Sequence, residues 1–190
     1  MGIPAPQVLV SEADYLESER DAATRHEYVD GVLFAMTEAS RAHNQIATNL
    51  TIALGTHLRG SGCRVAASDM KVRLGGTGHR YYYPDAVVSC SDPDDEPDAY
   101  TETRPVLVVE ILSPSTAVID RREKRLAYQA MPSVIDYLIV SQERREVERF
   151  TRAGEGWTQT VFGAQETVEL VSVGFALAME ELYADVAPGA

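Results

Sequence analysis

The sequence has few of the features that mark secreted or membrane proteins. Its 190 residues include only two cysteines, Cys63 and Cys90, which is too few for the disulfide framework of a small secreted domain. No apolar run approaches the ~20 residues that a membrane-spanning helix needs. The first ten residues, MGIPAPQVLV, lack the basic and then apolar order of a signal peptide. We therefore expect buried, reduced cysteines in a soluble, cytoplasmic protein.

Positive charge is also scarce. The chain has 17 lysines and arginines against 29 aspartates and glutamates, which gives a formal net charge of -12 at pH 7. This excess repels a polyanion at long range, so binding to nucleic acid would need a local patch or a bound cation. With 45% hydrophobic and 24% charged residues, the composition is that of a folded globular protein rather than a disordered one.

The patterns along the chain predict a single α/β domain over residues 11–190, after a flexible lead-in over residues 1–10. Ser11 is a predicted N-cap for a short helix in SEADYLESERD, and Asp30-Gly31 is a predicted hairpin turn within HEYVDGVLFAM. The longest helical pattern is SRAHNQIATNLTIALGTHLRG, and AVIDRREKRLAYQAM and AMEELYADV are two further helices. The predicted strands are CRVAAS, DMKVRL, YYYPDAVVSC, RPVLVVEIL, VIDYLIV, EVERFTR, GWTQTVF and TVELV.

Two connecting stretches are predicted to be loops. SDPDDEPDAYTE carries six acids and no base, so it is predicted to be a solvated loop, and the glycines of residues 75–78 indicate a turn. The strands and helices together favour a mixed central sheet flanked by helices.

Glu110 is a carboxylate inside an apolar strand. Residues two apart share a face of a strand, so Glu110 is predicted to lie with Val106, Val108 and Leu112. A strand that is apolar on both faces is usually central and covered on both sides. An ionised carboxylate there costs several kcal/mol unless a cation or strong donors compensate it.

Asp85 is a candidate companion for Glu110. It follows Pro84, which marks the start of a strand or an irregularity in one. If the two strands pair, the two carboxylates approach each other, and a hard divalent ion such as Mg²⁺ or Mn²⁺ would allow both to ionise. The alternatives are a turn aspartate and a glutamate that pairs with an arginine.

Five segments follow one another along the chain in this order: HEYVDG, YYYPDAVV, VVEILSPST, DRREKRLAY and IDYLIV. Together they resemble the bacterial Uma-type restriction endonuclease family of the PD-(D/E)XK nuclease superfamily. The resemblance extends from about Ser11 to Phe162. It implies a restriction-endonuclease-like core and metal-dependent hydrolysis of phosphodiester bonds in nucleic acid, with DNA expected as the substrate. It also implies that Asp85 and Glu110 are metal ligands, and that Glu27 completes the site. The alternative for Glu27 is a surface residue or a partner of Arg25.

The sequence departs from the superfamily pattern at Leu112, where a lysine is expected. The resemblance implies that Lys124, on the following helix, takes that role and supports the attacking water or the scissile phosphate. Asp120, Lys124 and Tyr128 are four residues apart, so they are predicted to share a helix face. The alternative for Lys124 is a solvated salt bridge to Asp120, and Tyr128 could serve packing or chemistry.

Several other polar residues are weaker candidates. His43 could face the site from the long helix, although a structural role is the commoner one for a lone histidine. Ser113, Ser115 and Thr116 fit turn or capping roles better than nucleophilic ones. The neighbouring bases form either a phosphate-contacting patch or a solvated helix face; they are Arg121, Arg122, Lys124 and Arg125.

Three functions remain open at this point. The favoured one is a Mg²⁺- or Mn²⁺-dependent endonuclease with Asp85, Glu110 and Lys124 as catalytic residues. A catalytically inactive module of the same fold that binds a partner or nucleic acid is the alternative, since Leu112 replaces the lysine. A structural protein that forms homodimers is the third, because a strand such as VIDYLIV could lie at an edge.

Overall fold

The computed structural model describes residues 9–36, 38–75, 79–90, 99–113 and 120–187. Its helices are α1 (Glu12–Ser18), α2 (Arg41–His57), α3 (Arg125–Gln129), which a π-helical segment (Asp120–Lys124) precedes, and α4 (Met179–Leu182). Its strands are β1 (His26–Val29), β2 (Val32–Ala35), β3 (Cys63–Ala67), β4 (Lys71–Leu74), β5 (Arg80–Tyr82), β6 (Ala86–Cys90), β7 (Thr101–Glu102), β8 (Leu107–Leu112), β9 (Asp136–Ser141), β10 (Val147–Ala153), β11 (Gly156–Phe162), β12 (Thr167–Leu170) and β13 (Phe175–Ala178).

The strands form three sheets in a single mixed α/β domain. A five-stranded sheet has the order β2-β1-β5-β4-β7, a six-stranded sheet has the order β11-β10-β9-β8-β6-β3, and β12 pairs with β13. Within the six-stranded sheet, β8 is parallel to β9, while β6 and β8 are antiparallel. No helix among the described residues is long and apolar enough to span a membrane.

The helix cap and the hairpin turn predicted near the start of the chain are confirmed. The Ser11 side chain accepts a hydrogen bond from the Asp14 backbone N–H and caps α1. The hairpin of β1 and β2 turns at Asp30 and Gly31, whose φ angles are 48° and 96°. Gly31 suits this turn because a side chain is strained at that φ, and its Cβ would lie 3.0 Å from the Leu9 Cβ.

The core forms on both faces of the six-stranded sheet. On one face, α2 packs Ile46, Leu50 and Leu54 into a cluster that includes the Leu107, Val109 and Ile111 side chains of β8. On the other face, Val108 and Leu112 pack with residues of α3, β9 and β10. The predicted alternation along β8 is therefore confirmed. Val106 is the exception: it precedes β8 and packs with the first cluster.

Two predictions about strands are wrong. The strand VIDYLIV, which forms β9, is not at a sheet edge, because it lies between β8 and β10. It therefore offers no free edge through which a homodimer could form. The stretch SDPDDEPDAYTE is not a loop throughout: Thr101 and Glu102 form β7, which pairs in parallel with β4 and buries Thr101. Its residues 91–98 lie outside the described residues, as do residues 1–8 of the lead-in and residues 76–78 of the glycine stretch.

The expectation of two buried, reduced cysteines is also wrong. Cys63 of β3 and Cys90 of β6 lie directly opposite each other and form a disulfide, and both residues are half-buried. Sequence separation gave no reason to pair them, because the antiparallel register that brings them together is set by the whole sheet. The cytoplasmic location, which the reduced cysteines supported, stays a prediction.

Candidate active site

Asp85 lies where the chain passes from one sheet to the other. β5 ends at Tyr82 in the five-stranded sheet and β6 begins at Ala86 in the six-stranded sheet. Pro84, which has no N–H to donate, occupies this crossing as expected. The pairing of β6 with β8 begins at Ala86, which lies opposite Val109. Asp85 itself precedes β6, and its side chain reaches β8 through a hydrogen bond from the Ile111 N–H, next to Glu110 in the chain.

A cavity of about 520 Å³ lies between the two sheets at this point. Glu27, Asp85, Glu110 and Lys124 all line it. β1 supplies Glu27 from the five-stranded sheet, β8 supplies Glu110 from the six-stranded sheet, and Lys124 ends the π-helical segment. Folding thus brings together the four residues that the sequence singled out, although they are spread over nearly a hundred positions.

Lys124 joins the two glutamates. Its Nζ lies 2.7 Å from Glu27 Oε1 and 3.3 Å from Glu110 Oε2. Lys124 is buried, with 4% of its surface exposed. The Tyr128 hydroxyl, one helical turn further on, donates to Glu110 Oε1 at 3.3 Å. The predicted shared face of Lys124 and Tyr128 is confirmed, while the Asp120 side chain lies outside the described residues. The ammonium supplies the cation that the buried Glu110 requires.

Asp85 has a different set of partners. Its Oδ2 accepts a hydrogen bond of 2.6 Å from the Ile111 backbone N–H. Its Oδ1 lies 2.8 Å from His43 Nε2 in the first turn of α2. The α2 N-cap fixes the position of His43, because the Ser40 hydroxyl accepts from the His43 backbone N–H. The His43–Asp85 pair ties the start of α2 to the candidate metal ligand.

His43 is the site residue that sequence analysis undervalued. It lines the cavity together with Asp85 and Glu110, although a structural role was the preferred interpretation. Its place in the first turn of the longest helix was the available signal. That signal was ambiguous because the sequence does not show which loop or strand α2 begins beside.

Tyrosines surround the acidic cluster as hydrogen-bond donors. Burial raises the pKa of Tyr128 well above its usual value and raises the pKa of Tyr83 to about 12, because the charged phenolate is poorly solvated there. Tyr82 donates to Glu123 Oε1 at 3.0 Å, and the Lys124 ammonium lies 5.5 Å from the centre of the Tyr82 ring. These hydroxyls stay protonated at neutral pH, so they serve as donors and not as bases.

The structure does not gather the predicted basic cluster into one surface. Arg121 is hydrogen-bonded to Glu148, and the Arg125 guanidinium lies 5.1 Å from the centre of the Phe150 ring. Lys124 instead points into the cavity. Lys124 therefore does not share a surface with Arg121 and Arg125, which both contact side chains of β10, and a phosphate-contacting role for the arginines stays a prediction.

The structure also gives the surroundings of Glu27 and Ser113. Glu27 is not a partner of Arg25, whose guanidinium donates to the Glu19 carbonyl and lies 3.7 Å from an Asp69 carboxylate oxygen. Ser113 lines the cavity, whereas Ser115 and Thr116 lie outside the described residues.

The donor chemistry of the cavity suits a hard cation, although an ammonium holds two of the donors. Carboxylate oxygens are the ligands that Mg²⁺ and Mn²⁺ prefer, and Glu27, Asp85 and Glu110 supply them in one cavity. Within the described ranges, however, no three acidic, histidine or cysteine side chains converge in an arrangement that could hold a metal ion. In this structure the Lys124 ammonium lies against both glutamates.

Comparison with known proteins shows the family to which the chain is similar. A family model described as "Uma2: Putative restriction endonuclease" matches residues 12–180. A relative, the uncharacterized protein slr1290 of Synechocystis sp. (strain ATCC 27184 / PCC 6803 / Kazusa), is 35% identical over 184 residues, which cover 96% of each chain. A second protein of that strain, sll1609, is 28% identical over 82% of this chain and 88% of its own.

A solved structure has the same fold. The crystal structure of "a putative nuclease belonging to DUF820" from Anabaena variabilis ATCC 29413 matches with a TM-score of 0.76 and covers 94% of this chain and 99% of that one. The two sequences are 14% identical, so this likeness speaks for the fold alone. It confirms the predicted fold class.

Proposed function

The chain belongs to the Uma2 family, and on this premise we propose that it is a divalent-metal-dependent endonuclease that hydrolyses phosphodiester bonds, with DNA as its substrate. Membership in the family supports a nuclease function. The observation that carries the finer proposal is that Asp85, Glu110 and Lys124 line one cavity, with Asp85 hydrogen-bonded to the backbone N–H of Ile111, the residue after Glu110.

Each residue has a role in this proposal. Glu27, Asp85 and Glu110 would hold Mg²⁺ or Mn²⁺, and a bound ion supplies activation of a water and stabilisation of the leaving oxyanion. The Ile111 N–H and His43 hold the Asp85 carboxylate in the cavity. The Lys124 ammonium donates to the water or to the scissile phosphate, which Leu112 cannot do because its apolar side chain is buried in the core.

A cleavage assay with Asp85→Ala tests the proposal. Purified protein is incubated with labelled single- and double-stranded DNA in Mn²⁺ and separately in EDTA. We expect cleavage only with the metal, and a loss of at least about 100-fold in Asp85→Ala, because a ligand matters at least as much as the groups that orient it. The matched control is Glu155→Ala, which removes an exposed acid from the turn between β10 and β11. Equal activity of the wild type and Asp85→Ala would overturn the assignment.

A second candidate is an inactive module with the nuclease fold that binds a partner or nucleic acid. The observation in its favour is the close contact of Lys124 with both glutamates, which leaves no ready metal cluster among the residues that the structure describes. Calorimetric titration with Mn²⁺ separates the two candidates. The endonuclease requires binding that is lost in Asp85→Ala and in Glu110→Gln, whereas the inactive module requires none.

A further inference from the structure

The cavity has an apolar wall beside its acids. Phe34 of β2 pairs directly with Glu27 of β1, so the two side chains lie on the same face of the hairpin. Both line the cavity, as do Val29, Ala35 and Met36 from the same hairpin region. Phe34 is 49% exposed, which leaves much of an aromatic ring accessible next to the carboxylates.

The charges around the cavity are poorly suited to a duplex. Among the described residues that line it, Lys124 is the only lysine or arginine. The acids that line it are Glu27, Glu38, Asp85, Glu110 and Glu123. Proteins that hold double-stranded DNA do so through many lysine and arginine contacts to closely spaced phosphates. Affinity at this site therefore has to come largely from contacts other than phosphate pairing.

The size of the cavity points to a small part of a nucleic acid chain. Its volume of about 520 Å³ is within the range of pockets that enclose small molecules, roughly 300–1,000 Å³. In a duplex the faces of each base are covered by neighbouring bases, so they are not open to a protein ring. An unpaired base exposes a face, and stacking on an aromatic side chain is a main source of affinity for single strands.

We propose that Phe34 is a base-stacking residue and that the substrate enters the site as single-stranded or locally unpaired nucleic acid. This inference rests on the proposed function, since it places the base of a nucleotide on the Phe34 ring next to the carboxylates that act on its phosphate. The apolar hairpin wall covers the base, while Lys124 and the acids face the backbone.

Binding and cleavage by Phe34 variants test the inference. The substrates are a single-stranded oligonucleotide, its duplex, and the same single strand with abasic sites. Binding is measured by fluorescence anisotropy in EDTA, and cleavage is measured in Mn²⁺. Phe34→Ala removes the ring, Phe34→Tyr keeps it, and Leu33→Ala is the control, because Leu33 lies on the same strand but does not line the cavity. Circular dichroism verifies that each variant is folded.

We expect the wild type to bind and cleave the single strand in preference to the duplex. Phe34→Ala should weaken single-strand binding by about 5- to 150-fold, which is the range for loss of one stacked base. Phe34→Tyr and Leu33→Ala should stay close to the wild type. The abasic strand should bind the wild type weakly and should not distinguish Phe34→Ala from it.

The outcomes separate this inference from the proposed function. Metal-dependent cleavage that prefers the duplex, or that is unchanged in Phe34→Ala, overturns base stacking and leaves the nuclease in place. Binding of the single strand through Phe34 without any cleavage supports stacking and overturns the nuclease. A wild type that neither binds nor cleaves any of the oligonucleotides overturns both.

Discussion

Removing the Lys124 ammonium has the clearest consequence of any single change. Without it, the largely buried Glu27 and Glu110 lose the ammonium that lies against both of them. Loss of one partner from a buried ion pair typically costs about 3–5 kcal/mol. We therefore expect Lys124→Met to lower the melting temperature of the metal-free protein and to abolish most of the cleavage.

Added Mn²⁺ should then replace the missing charge. The melting temperature of Lys124→Met should rise more with Mn²⁺ than that of the wild type, in which the ion competes with the ammonium. Lys71→Met is the matched control, because Lys71 is also a buried lysine but does not line the cavity. An equal rise in all three proteins would show that the ion binds elsewhere.

The pairing of specific side chains was only partly predictable at this scale. Glu110 could be recognised because a carboxylate in a strand that is apolar on both faces requires compensation. Which cation compensates it could not be read from the sequence, since Lys124 reaches Glu110 only through the π-helical segment and the packing of α3. His43 was undervalued for the same reason: its contact with Asp85 depends on where α2 begins relative to β6.

At the scale of elements, the β3–β6 pair is joined covalently. Cys63 and Cys90 close a loop with a sequence separation of 27, and a loop of that length gives a stabilisation of about 3–4 kcal/mol in the chain-entropy account. The double variant Cys63→Ser/Cys90→Ser should therefore have a lower free energy of unfolding in urea by about that amount. A reducing agent should lower the stability of the wild type and leave the double variant unchanged. Identical unfolding curves with and without reductant would contradict the disulfide.

Elements with strong periodicity or turn signals were predictable, and those that depend on neighbours were not. The hairpin at Asp30-Gly31 and the apolar stripe of α2 follow from local sequence. β7 is only two residues long and exists through its pairing with β4. β13, which pairs with β12, had no predicted counterpart. The interior position of β9 did have a local signature, because Tyr137, Leu138, Ile139 and Val140 are apolar on both faces of the strand, as in β8.

At the scale of the whole molecule, negative charge sets how nucleic acid can bind. The net charge of -12 and the single lysine among the described residues that line the cavity leave few contacts to phosphate. The logarithm of the binding constant should then fall with the logarithm of salt concentration with a slope of about -1 to -2, because that slope reports the number of phosphates neutralised. This slope is measured by anisotropy titrations of a single-stranded oligonucleotide at salt concentrations between about 50 and 200 mM. A slope near -6 would indicate an extended basic surface elsewhere on the protein.

The most direct test of the account is a crystal soaked in Mn²⁺ and measured for anomalous scattering. We expect a peak in the cavity at about 2.0–2.3 Å from carboxylate oxygens of both Asp85 and Glu110, with Glu27 close by. The same soak of Asp85→Ala should show no peak there. A wild-type crystal whose only Mn²⁺ peaks lie away from these carboxylates would contradict the account.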